Sequence, residues 1–176
     1  KGLLAETPAG QVKYLVTALA IDPTYHVARI ALWQAYTAAS DHERALKTVL
    51  SVPEESAVAR RARFLAALSE LRLGRYKEAT ERLESLRAGH EDAAVLNNLG
   101  VINLRRGKGQ AGASARSFFE KALAADPDEP AYCFNLRYAA HLARDLPAAF
   151  APLRAAARRN PTADAAHSMP GPVLLR

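Results

Sequence analysis

Cysteine is all but missing from this chain. Cys133 is the only one in 176 residues, which excludes an internal disulfide framework and any metal site built on several thiolates. A single cysteine is also compatible with a reducing, cytoplasmic setting. Met169 is the only methionine and the sequence does not open on one, so it reads as a fragment or a processed form. Its start carries no signal-peptide pattern. No run of about eighteen apolar residues occurs, so no segment suits a membrane-spanning helix. Acidic residues are outnumbered, 18 against 24 basic, for a formal charge of +6. The basic residues stand in small scattered groups, Arg60-Arg61, Arg105-Arg106 and Arg158-Arg159. Groups of that size favour solvated helix faces over a nucleic-acid surface, which needs a patch or stripe. What is present in quantity is apolar, 49% of the chain, enough for the core of one sizeable domain.

That apolar content is periodic. "FFEKALAADPDEPA" (118–131) runs as an amphipathic helix and stops on Asp126-Pro127; "LVTALAIDPTYHVA" stops on Pro23 and "LRAAARRNPTADAA" on Pro161. Pro127 to Pro161 is a step of 34, and Pro23 to Pro127 is 104, three such steps plus 2. Ala18, Ala122 and Ala156 each lie five residues before their proline, and Leu15, Phe119 and Leu153 three before those alanines. Ala115 and Ala149 lie four before the large residue. This small–large–small set shares one helical face, where the small residues admit another helix and the large one fills the gap. Proline ends each helix because it lacks an N–H and disfavours helix in the residue before it. The segments between read as helices too. "VLNNLGVINLRRG" (95–107) puts Leu96, Leu99 and Gly100 on one side and meets Gly107 at its end; "AYCFNLRYAAHLARD" (131–145) aligns Cys133, Leu136 and Ala140. "ARIALWQAYTAASDHERA" (28–45) carries Leu32, Trp33 and Tyr36 before Ala45, and "ARFLAALSELRLGRYKEA" (62–79) pauses at Gly74 before Tyr76 and Ala79.

The patterns "NNLG…RRG…A…F…A…DP" (97–127) and "FNLR…A…L…A…NP" (134–161) resemble the tetratricopeptide repeat, two antiparallel helices in about 34 residues. The resemblance runs along nearly the whole chain. It places units at 24–57, 58–91, 92–128 (with a longer inter-helix loop around "GKGQAGAS") and 129–162. Residues 1–23 read as the remnant of a preceding unit, its second helix at 8–20 capped by Thr7 and opened by Pro8. Residues 163–176 read as a short capping turn and a tail broken by Pro170-Gly171-Pro172. The implied fold is all-α, a right-handed α-solenoid of stacked antiparallel helix pairs, each burying its apolar face on its neighbour. Units 24–57 and 58–91 lack the terminal proline, and Arg63 and Glu70 stand where the family usually has aromatics.

Catalytic constellations are not found. His26, His42, His90, His141 and His167 make no metal-ligand spacing with one another or with Cys133. "SDHE" (40–43) gathers serine, aspartate and histidine, but triads are assembled from separate segments. A helix-joining turn with Asp41 as N-cap is favoured. "GKGQAGAS" holds Lys108 without the P-loop order or a preceding strand. Cys133, on a packing face, reads as a small hydrophobe. No catalytic residue, metal ligand or cofactor is expected.

A surface remains. In the resembled family the first helices line a concave groove that takes a peptide or a partner's helix. Matched position by position, the groove would comprise Val27, Ile30 and Gln34 in the first unit and Arg61, Phe64, Leu68 and Arg72 in the second. Asn97, Asn98, Val101 and Arg105 would follow from the third, and Phe134, Asn135, Tyr138 and His141 from the fourth. Asn98 and Asn135 fall at equivalent positions, where amides suit gripping an extended peptide backbone or fixing adjacent helices. The lysine- and arginine-rich clamp of relatives that hold a C-terminal carboxylate is not matched: Phe64, Leu68, Ala131 and Asn135 stand there. The expectation is a non-catalytic scaffold for another protein or peptide with apolar and acidic residues, within a multiprotein assembly. Self-association through an uncapped end is a further expectation. The alternatives are a regulatory helical domain of a larger enzyme and, less favoured, a nucleic-acid-binding helical repeat.

Overall fold

Helix starts and stops are written locally in this chain. A computed structural model describes residues 7–90, 92–107 and 111–145, and among them all regular structure is helical. The helices are α1 (Pro8–Ile21), α2 (His26–Ala38), α3 (His42–Leu50), α4 (Ala59–Arg72), α5 (Tyr76–Gly89), α6 (Ala93–Arg106), α7 (Ala111–Ala125) and α8 (Pro130–Leu142). Side-chain oxygens satisfy the first free amides of four of them. Thr7 Oγ1 accepts from the Gly10 N–H at 3.1 Å, Asp41 Oδ1 from Arg44 at 3.0 Å, Asp92 Oδ1 from Ala94 at 2.9 Å and Glu129 Oε1 from Ala131 at 3.1 Å. Pro8 and Pro130 sit in the first turns they open. Pro23 separates α1 from α2 and Pro127 separates α7 from α8. Pro161, with Ala149, Leu153 and Ala156, lies outside the described residues, as do the tail and Lys108.

Three helices end in the same way. After α2, α4 and α8 the second residue beyond the helix takes a left-handed conformation: Ser40 at φ 58°, Gly74 at φ 73° and Arg144 at φ 57°. The next N–H then reaches back five residues, Asp41 to the Tyr36 carbonyl, Arg75 to Glu70 and Asp145 to Ala140. This is the Schellman arrangement, which satisfies carbonyls that the helix end would otherwise leave free. Only Gly74 signals it in the sequence. Gly107, the expected stop of α6, is extended instead (φ −75°, ψ 129°), its N–H bonded to Asn103. The helix ends there without glycine's conformational freedom.

The chain forms two compact units, Lys1–Leu86 and Arg87–Arg176. In the first, α1 packs on α2, α2 on α3, and α3 on α4, while α2 also touches α4. Its core joins Ile30, Leu46, Val49, Ala62, Leu65 and Ala66, with Trp33, Phe64 and Leu68 packed against it. Ala45 and Ala79 are fully buried. Glu70, also buried, is held by Arg82 of α5 through two guanidinium nitrogens, Nε to Oε2 at 3.0 Å and Nη2 to Oε1 at 2.6 Å. That carboxylate raises the Arg82 pKa above its ordinary value. The charged departure from the expected aromatic is thus accommodated by a paired ion, because an unpaired one would be too costly to bury.

In the second unit α7 packs on both α6 and α8, and α6 reaches α8 as well. Ala115, Phe119 and Ala122 are fully buried, the small–large–small face in place. Phe119 points at Gly100 of α6: a Cβ built there would stand 2.5 Å from its Cε1. The glycine serves close approach of two helices. Leu96, Ala122 and Tyr132 join the three helices in one cluster.

Candidate functional site

Each unit offers the faces of its first-type helices, and these are where the matched groove residues fall. In the first unit, Val27 at the start of α2 is exposed beside Tyr25. The two share a cavity of about 570 Å³ with Pro53 and Val58 from the α3–α4 connection. Tyr25 was not among the matched residues, since it sits in the turn after Pro23 rather than on the helix. An aromatic so close to a helix start was the available signal. Gln34 is exposed on α2. Ile30 is not part of any open face: it is 4% exposed and belongs to the core. Phe64 and Leu68 of α4 are half-buried against that core, Arg72 is half-buried, and Arg61 is exposed. Trp33 donates its indole N–H to Ser69 Oγ at 2.8 Å, which ties α2 to α4.

In the second unit two of the matched asparagines bond each other between helices. Asn135 is 2% exposed, and its Nδ2 donates to Asn97 Oδ1 at 2.8 Å, so this pair ties α8 to α6. Asn98 turns its Nδ2 onto the Ala94 carbonyl of its own helix at 2.8 Å. Asn98 and Asn135 therefore do not form an open pair of amides. Val101 is buried, for the same reason as Ile30. Arg105 is half-buried and His141 exposed.

What α8 does present is aromatic. Phe134 and Tyr138, one turn apart, stack with ring centroids 6.4 Å apart and planes 6° from parallel. Phe134 is half-buried and Tyr138 is 36% exposed. Cys133 is half-buried on the same helix, where burial pushes its thiol pKa up and Arg137 offsets part of the rise. "SDHE" is a helix-joining turn, with Asp41 capping α3. Among the described residues no group of three or more histidine, cysteine or acidic side chains could hold a metal ion, and no helix is long and apolar enough to cross a membrane.

No family model and no curated protein sequence matches the chain. Solved structures do. A chain of the APC/C hetero-tetramer Cut9–Hcn1 aligns with a TM-score of 0.69 at 19% identity, over 92% of this chain and 35% of its own length. This chain thus spans about a third of that one. YrrB, described as a TPR protein with an unusual peptide-binding site, aligns at 0.61 and 19% identity, over 86% of this chain and 77% of its own. MamA aligns at 0.68 and 13% identity, over 93% and 87%. At these identities the likeness is one of fold: helix pairs of the tetratricopeptide type.

Proposed function

We propose that the chain is a protein-interaction module of tetratricopeptide-like helix pairs, without catalysis of its own, which takes a peptide or partner protein on its first-type helices. In this reading the repeat units are 24–57, 58–91, 92–128 and 129–162, with 1–23 and 163–176 flanking them. The observation that carries it is the stacked Phe134–Tyr138 pair. Rings that serve only the core are buried, as Phe119 is, whereas Tyr138 stays exposed and Phe134 half-buried on a helix already anchored by Asn135. Exposed aromatic area of this kind supplies large contact surface at small entropic cost, the usual composition of binding hot spots. Two structural neighbours, a chain of a hetero-tetramer and a TPR protein with an unusual peptide-binding site, support the same class of role.

The partner should offer apolar side chains to the rings. The test is affinity capture with the wild-type chain and a Phe134→Ala/Tyr138→Ala variant. Specific partners retained by the first should fall by about tenfold or more with the second, while far-UV circular dichroism stays the same. Equal retention by both would remove the α8 face from consideration.

A further inference from the structure

Charge in the second unit is sorted by end. Neither α6 nor α8 contains an aspartate, glutamate or lysine. Leu96, Ala122 and Tyr132 bring the starts of these two helices against the end of α7, and Arg116, near the start of α7, bonds Asp145 beyond the end of α8. The two first-type helices therefore run in the same direction, tied side by side through Asn97 and Asn135. Acidic residues stand at their starting end, where Asp92 and Glu129 serve as caps. Burial first, and then the carboxylates of Glu129, Asp126 and Asp92, push the Tyr132 pKa up, so these three acids share one neighbourhood.

The opposite end is basic. Arg106 closes α6 nine residues past Asn97, and Arg144 lies nine past Asn135, which sets both about 14 Å along the axes from the bonded pair. Arg106, His141 and Arg144 are all exposed. No carboxylate among the described residues pairs with Arg106 or Arg144. Asp145, beside Arg144 in the chain, is taken up together with Glu120 by Arg116, at 2.7 and 2.6 Å. A cation at a helix end offsets the dipole of that helix, yet α2, of the same type, has no basic residue in its last turn. Between the acidic and basic ends lie the stacked Phe134 and Tyr138.

Taking the α8 rings as the contact surface, we infer that their occupant is an extended segment of a partner protein with a large apolar residue and, about three positions from it, an aspartate or glutamate. The apolar residue lies on Phe134 and Tyr138, and the carboxylate on Arg106 and Arg144. From Tyr138 to Arg144 the chain advances about 9 Å, and three residues of extended peptide cover about 10 Å. Guanidinium–carboxylate bonds fix the direction in which the segment lies. Its negative charge is confined to one end, because at the other it meets Asp92, Asp126 and Glu129. A nucleic-acid strand carries a phosphate at every step and would be repelled there.

The probe is a random peptide library displayed on phage and selected on the full chain. Selected sequences should pair a large apolar residue with an acid about three positions away. A synthetic peptide of that consensus should bind Arg106→Glu/Arg144→Glu about tenfold more weakly than wild type, with the greatest loss at low ionic strength. Selection repeated on this variant should return the same apolar residue with lysine or arginine in place of the acid, an exchange that misfolding cannot produce. Peptides that lack the acid or ignore the charge reversal, yet are lost with Phe134→Ala/Tyr138→Ala, would overturn this inference and leave the ring surface standing. Peptides indifferent to both variants, or no enrichment at all, would overturn both. Tighter binding of an oligouridylate than of the consensus peptide, abolished by the same charge reversal, would replace the peptide with nucleic acid.

Discussion

Gly100 and Gly74 meet opposite demands with the same side chain. At Gly100 the constraint is space, since a Cβ would stand 2.5 Å from Phe119. Gly100→Ala should therefore destabilise the chain by about 1–3 kcal/mol through overpacking, read as a lower urea midpoint with an unchanged m-value. At Gly74 nothing lies within 4 Å and the constraint is the backbone, at φ 73°. Gly74→Ala should cost about 1–2 kcal/mol from left-handed strain alone, and a second substitution at Phe119 should leave that cost unchanged. Glu70 with Arg82 is the other residue-level commitment. Arg82→Met leaves a buried carboxylate without its cation and should cost about 3 kcal/mol. The Glu70→Leu/Arg82→Met double variant should recover much of that loss in thermal unfolding. For Cys133 the sign is set by burial, which disfavours the thiolate. The thiol should stay protonated through neutral pH and react with an aromatic disulfide reagent more slowly than in the denatured chain. As pH rises past the unfolded thiol's value of about 8.5, the unfolded chain loses its proton first, so this group's contribution favours unfolding.

At the level of helices, polar links between first-type helices recur with different chemistry: Trp33 to Ser69 in one unit, Asn135 to Asn97 in the other. Each satisfies a buried or half-buried donor where two helices cross. Asn97→Ala leaves the buried Asn135 amide without its acceptor and should cost about 1–3 kcal/mol, with faster exchange in α6 and α8. Asn98→Ala removes a bond within one helix and should cost less. Equal losses would mean that the inter-helix bond contributes nothing special. Much of this level was legible in advance. Thr7, Asp41, Pro23 and Pro127 mark their helix ends because caps and prolines act within a few residues. The small–large–small face of α7 is buried as its spacing implied. The shared Schellman ends were legible only at Gly74, because Ser40 and Arg144 adopt a conformation that their side chains do not favour. Ile30 and Val101 were assigned to an open face and lie in the core, since periodicity identifies a helix face but not which neighbour covers it.

Within each unit, packing is between helices that are near neighbours in the chain, as expected of stacked helix pairs. A cavity in one unit should then be felt mainly there. Ile30→Ala should cost about 2–5 kcal/mol and speed amide exchange in α2, α3 and α4 more than in α6, α7 and α8. Equal acceleration in both would show one cooperative block. The period of the prolines and alanines, the all-helical class and the helix boundaries followed from the sequence alone, because each rests on interactions within a turn or two of helix. The pairing of Asn135 with Asn97, the burial of Glu70 beneath Arg82 and the stacking of Phe134 on Tyr138 did not. Those depend on contacts between segments 12 to 38 residues apart, or on whether a neighbouring helix is there to cover a face, and only the folded chain decides either.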